Sequence, residues 1–98
     1  MVKGYLMLVL HAHLPFVHHP EEENILEERW LFEALTESYL PLLMSWENLC
    51  KENVDFRLTL SLSPTLLEML NSPLLLERYH KYLANSLKLA ASEEKRLA

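Results

Sequence analysis

Glycine is almost missing from this sequence: Gly4 is the only one in 98 residues. A complete α/β domain uses several glycines at its turns, so such a domain is not expected to close within this length. Cysteine is as scarce. Cys50 stands alone, which excludes an intrachain disulfide and fits a reducing, cytoplasmic setting. No apolar run approaches the roughly 18 residues of a membrane helix. Tyr5–Leu10 is short, and His11 and His13 follow it where a leader peptide would carry small residues for cleavage. Clusters of Lys and Arg are missing too. With a formal net charge of −5, the chain is a poor partner for a nucleic-acid backbone or an anionic membrane.

What is present is globular in character. Half of the residues are hydrophobic and 23% are charged, enough apolar material for a modest core. A full (β/α) barrel needs about 250 residues. The final stretch, Ser92–Ala98, reads as helix with neither a glycine cap nor a proline stop. Together with the single glycine, this leads us to expect residues 1–98 to be a truncated segment of a larger domain.

Gly4–Leu10 is a continuous apolar run, the pattern of a strand buried on both faces in a parallel sheet. Residues 14–26 read as a loop, with two prolines, His18-His19 and the acidic run Glu21-Glu22-Glu23-Asn24. From Glu27 to Cys50 the period changes. Phe32, Leu35, Tyr39, Leu42, Leu43, Trp46 and Leu49 recur at helical spacing, and Pro41 predicts a kink or break near Ser38–Pro41. After a turn at residues 51–53, Asp55–Leu62 alternates as a second strand. Ser63-Pro64 and Ser72-Pro73 are two helix-start signals, predicting a short helix over Thr65–Leu70 and a last helix with Leu76, Tyr79, Leu83, Leu87 and Ala90 on one face. Strand, helix, strand in this order implies a parallel pair with a right-handed crossover.

In parallel α/β folds, ligand-binding groups collect beyond the carboxyl ends of the strands. His11 and His13 sit there, two apart, on one side of an extended chain. Ser61 and Ser63 occupy the matching place after the second strand. A strand-end His-x-His pair can hold a metal, as in many metal-dependent hydrolases. It can equally hydrogen-bond sugar hydroxyls, or simply close a strand end. The pair alone leaves all three open.

Longer blocks narrow the choice. His11-Ala12-His13-Leu14-Pro15-Phe16, then Glu27–Ala34 (EERWLFEA), then Thr36–Leu43 (TESYLPLL) resemble, in that order, the N-terminus of glycoside hydrolase family 57. Leu14-Pro15 after the second histidine looks like the α-glucan branching-enzyme subgroup, where amylase and glucanotransferase members more often have Gln-Pro. Ser61–Thr65 is also similar to the family's second strand end. The resemblance covers about residues 3–71. It implies a retaining enzyme on an incomplete, seven-stranded (β/α) barrel, of which this chain is the β-α-β-α opening. It implies an α-glucan substrate (amylose or a glycogen-like polymer), no cofactor and no metal. The expected glutamate nucleophile and aspartate acid/base come from later strands, so no catalytic residue is expected here. His11 and His13 are expected to line the subsite of the sugar to be cleaved, with Trp30 beside the substrate path, its indole face available for stacking.

Plainer readings stand beside these. Trp30 opens an amphipathic helix and fits a half-buried core residue as well. Trp46 and Tyr39 lie on the helical stripe and read as core. Glu27, Glu28, Glu33 and Glu37 read as surface charges favoured by the helix dipole. His18 and His19 read as solvated loop residues, His80 as surface, and Cys50 as buried filler. Two other functions compete: a metal-dependent hydrolase using His11 and His13, and a non-catalytic structural or carbohydrate-binding module. No further ligand cluster appears by residue 98, which counts against the metal. Two parallel strands with open edges count against an independent module and point to the rest of a barrel being needed for folding.

Overall fold

A computed structural model of the chain describes residues 1–23 and 25–98; Asn24, within the expected 14–26 loop, lies outside the described residues. The elements run β1 (Val9–Ala12), α1 (Leu26–Ala34), a π-helical turn (Leu35–Tyr39), α2 (Leu40–Lys51), β2 (Thr59–Leu62), α3 (Pro64–Leu70) and α4 (Pro73–Leu97). β1 and β2 pair in parallel, with Val9 opposite Thr59 and His11 opposite Ser61. The chain is thus an α/β segment in which one helical crossover separates two parallel strands, as the sequence order implies.

Both strands are shorter than the sequence predicts. Gly4–Leu8 lie outside β1, and Tyr5 is 97% exposed rather than buried on two faces. Asp55–Leu58 lie outside β2. The ladder is held only where the two strands meet, and upstream of it a single bond runs from the Thr59 N–H to the Leu8 carbonyl at 3.0 Å. Val9, Leu60 and Leu62 remain exposed, so the sheet is covered less than its apolar sequence anticipates.

Pro41 does not break the helix. The Leu40 N–H donates to the Leu35 carbonyl, five residues back, and the wider π turn takes up the misfit that a proline ring imposes on an α-helical carbonyl. α2 ends where the sequence places a turn. Asn53 adopts a left-handed φ of 59°, the Val54 N–H donates to Leu49 O, and the Asn53 N–H donates to Cys50 O. This is the Schellman arrangement, with asparagine in the usual glycine position. α3 and α4 begin at the two predicted caps. Ser63 Oγ accepts the Leu66 N–H and Ser72 Oγ accepts the Leu75 N–H, each at 3.3 Å, with proline at the first helical position.

The core is a single cluster where the helices meet the exit of β1. Ala12 and Val17 come from β1 and its loop, Leu31, Phe32 and Leu35 from α1 and the π turn, Leu66 and Met69 from α3, and Leu75 and Tyr79 from α4. Phe32, Tyr79 and Tyr82 form an aromatic group with centroids 5.5–6.2 Å apart. The Tyr79 hydroxyl lies 2.9 Å from Thr36 Oγ1. Tyr39 packs on this core, as its stripe position predicts, and burial raises its phenol pKa. Four expectations change. Cys50 is exposed rather than buried, and Trp46 is only half-buried outside the core, because α2 buries none of its residues fully. The buried face of α4 runs through Leu75, Arg78 and Tyr79, and Leu76 and Leu87 are exposed, because only the first turns of α4 pack. Glu28, read as a surface charge, is 1% exposed.

Candidate functional site

The two strand exits are stitched together around His13. The Ser63 N–H donates to the Ala12 carbonyl at 3.1 Å. The Thr65 hydroxyl donates to the Leu14 carbonyl at 2.8 Å and lies 3.2 Å from Ser63 Oγ. The carbonyls of the two residues that flank His13 are therefore held by residues that leave β2. The imidazoles of His11 and His13 stay exposed at this end of the sheet. Neutral imidazole offers one donor and one acceptor, the pairing that vicinal sugar hydroxyls present.

The loop that follows is fastened along its length. Val17 is buried and its N–H points at Met69 Sδ, 3.3 Å away. Further along, Arg78 and Glu28 grip the backbone from below. Arg78 Nη1 donates to Glu28 Oε1 and Oε2 and to the His19 carbonyl, each at 2.8 Å, and Nη2 donates to the Pro20 carbonyl at 3.3 Å. Glu28 Oε2 in turn accepts the His19 N–H at 2.8 Å. Both side chains are buried, Arg78 to 8% exposure. At the surface, Lys81 Nζ meets Glu23 Oε1 at 3.0 Å; this hydrogen bond and charge lower the Glu23 pKa and raise that of Lys81. The reading of His18 and His19 as solvated loop residues is corrected accordingly. His18 is half-buried edge-on to Phe16, and the His19 backbone is held at both its N–H and its carbonyl. The His19 ring remains outward, 3.5 Å from Glu27.

Of the expected site residues, His11 lies in β1 and His13 just after its end, both exposed, whereas Trp30 stands on α1, 46% exposed and outside the core. Among the described residues, no three His, Cys, Asp or Glu side chains gather where a metal ion could be held. No helix among them is long and apolar enough to cross a membrane. A groove of about 580 Å³ runs between α1 and α4, past Glu28, Arg78, Phe32 and Tyr82, and does not include the histidines. The residues that sequence reasoning missed are Thr65, Glu28 and Arg78. One signal for Arg78 was available: it lies between Leu75 and Tyr79 on the stripe that packs.

Comparison with known proteins places this arrangement. The family model described as glycosyl hydrolase family 57 matches residues 7–98. The chain belongs to this family. It is 38% identical over 87 residues to the 1,4-alpha-glucan branching enzyme TK1436 of Thermococcus kodakarensis, covering 89% of this chain and 13% of that protein. Two solved structures superpose on 97% of it: the alpha-amylase AmyC of Thermotoga maritima (TM-score 0.89, 49% identity) and a branching enzyme of this family from Pyrococcus horikoshii (TM-score 0.87, 40% identity). The chain spans 18% of each of those two structures, less than a fifth of their length.

Proposed function

We propose that this family 57 chain, residues 1–98, is the N-terminal segment of the (β/α)-barrel catalytic domain of a retaining, cytoplasmic α-glucan enzyme, a 1,4-α-glucan branching enzyme. The enzyme cuts an α-1,4 linkage and passes the released chain to a 6-hydroxyl of another glucan. The observation that carries this reading is the strand-exit face: two exposed imidazoles on backbone fixed by Ser63 and Thr65, in a chain whose relatives include named branching enzymes. Leu14-Pro15 after His13 supports the branching subgroup.

In this reading, His11 and His13 hydrogen-bond the hydroxyls of the sugar whose linkage breaks, and Trp30 offers an indole face to a neighbouring ring. The two carboxyl groups of a retaining enzyme stand about 5–5.5 Å apart and work through a covalent glycosyl intermediate. They belong to the four-fifths and more of the relatives' length that this chain does not span. Its own residues bind and orient the sugar. Hydrolysis is the second reading, favoured by the 49% identity to a structure named an alpha-amylase.

The full-length protein carrying this chain, incubated with amylose, distinguishes them. Branching generates α-1,6 linkages, seen as short chains released by a debranching enzyme, with little gain in reducing ends. Hydrolysis generates reducing ends alone. The absence of both products would sink the α-glucan reading.

A further inference from the structure

The Glu28–Arg78 pair lies outside the strand-exit face, and nothing in the chemistry above uses it. Its bonds run to backbone rather than to surface groups. Among the described residues, the three groups it hydrogen-bonds outside itself are all main-chain atoms of residues 19 and 20: the His19 N–H, the His19 carbonyl and the Pro20 carbonyl. The pair comes from two helices separated by 50 residues, and it meets the loop six residues after His13. At the other end of that span, Thr65 holds the Leu14 carbonyl. Between them, Val17 is buried against Met69. The stretch from Leu14 to Pro20 therefore has no free end.

A buried ion pair is a poor source of stability, because removing two charges from water costs about as much as their attraction returns. Its value lies in direction. The guanidinium fork and the carboxylate accept only one placement of the peptide between them. We propose that Glu28 and Arg78 are positioning residues for the sugar-binding face: they fix the His19–Pro20 backbone, and through the short span back to Leu14 they set the placement of His13 and the loop wall beside it. The inference rests on the reading of His13 as a sugar contact.

The test uses the full-length protein and the variant Glu28→Leu/Arg78→Met, which removes both charges at similar volume so that neither is left buried without a partner. The expected result is a folded enzyme whose KM for amylose rises about tenfold, within the range that a displacement near 1 Å produces. A purely structural loss would lower the active fraction and leave KM unmoved. The second expectation is non-additivity. In a His13→Ala background the double substitution adds less than a twofold further loss of kcat/KM, because the residue it positions is gone. Unchanged KM, or full additivity with His13→Ala, overturns the proposal.

Amide hydrogen exchange supplies an arm that needs no substrate. Protection of the His19 amide is expected to fall at least tenfold in the double variant while the amides of α1 and α4 keep theirs; unchanged protection overturns the proposal. The two layers fail separately. A His13→Ala enzyme with parental kinetics removes the sugar-contact reading, whereas an impaired His13→Ala enzyme beside a parental double variant removes the clamp alone.

Discussion

Removing Arg78 alone exposes what the buried pair costs and what it holds. Arg78→Met keeps most of the side-chain volume and deletes the guanidinium. Glu28 Oε1 then loses its 2.8 Å donor, and Oε2 keeps only the His19 N–H. The His19 and Pro20 carbonyls lose donors at 2.8 and 3.3 Å. Glu28 is 1% exposed, so its carboxylate cannot turn outward to recover water. Breaking a buried pair in this way costs about 3–5 kcal/mol. Glu28→Leu alone leaves the cation buried and belongs in the same range. Removing both charges together leaves no uncompensated ion. What remains is the backbone of residues 19 and 20, whose groups reach water once the loop loosens, at about 1–2 kcal/mol. The double variant is therefore expected to be more stable than either single one. Urea unfolding of the full-length parent, the two single variants and the double variant, followed by circular dichroism, measures the cycle. A double-variant loss equal to the sum of the two single losses refutes the reasoning.

Three further outcomes follow from the same structure. Leu66 is fully buried between the strand exits and α4, and Leu66→Ala should cost about 3–4 kcal/mol in denaturant unfolding, within the range for buried leucines whose cavities close only partly. Ser63→Ala and Ser72→Ala each remove a helix cap and should each lower stability by about 1 kcal/mol, Ser63 costing the more because its hydroxyl also meets Thr65. Glu23 and Lys81 stabilise the loop between their titrations. The lowered Glu23 pKa makes its contribution present above the ordinary carboxylate value and lost as pH falls through the lowered one. The raised Lys81 pKa makes its contribution present below 10.5 and lost as pH climbs beyond it. A pH series of parent against Lys81→Met should therefore show a gap at neutral pH that closes at both extremes.

Local chemistry was legible in the sequence wherever it acts over three or four residues. Ser63-Pro64 and Ser72-Pro73 announced two helix starts, and both serines cap as read. Residues 51–53 announced the turn that Asn53 makes. The strand order and the convergence of His11 with Ser61 followed from connectivity. What depends on distant partners was not legible. Glu28 carried the signature of a surface charge in the first turn of a helix, and only the arrival of Arg78, 50 residues on, buries it. The apolar run Gly4–Leu10 promised a strand along its whole length, yet a ladder needs a facing strand, and β2 faces only Val9–Ala12. Cys50 looked like buried filler at the close of a helix, yet α2 buries none of its residues.

The π turn at Leu35–Tyr39 also works as a phase shifter. Each residue of an α-helix advances the side-chain direction by about 100°. A single wide turn spends one extra residue without adding a full step of rotation, so the stripe of α2 is offset from the stripe of α1 along one unbroken rod. Leu31, Phe32 and Leu35 face the core, while Leu43 and Met44 face outward. Tightening the turn to α-helical spacing with all five residues kept would swing every side chain of α2 by about 100°, whereas deleting one residue would remove the wide turn and leave them facing as they do. The direction in which Leu42 and Trp46 present themselves is thus encoded upstream, in the spacing of five residues that belong to neither helix.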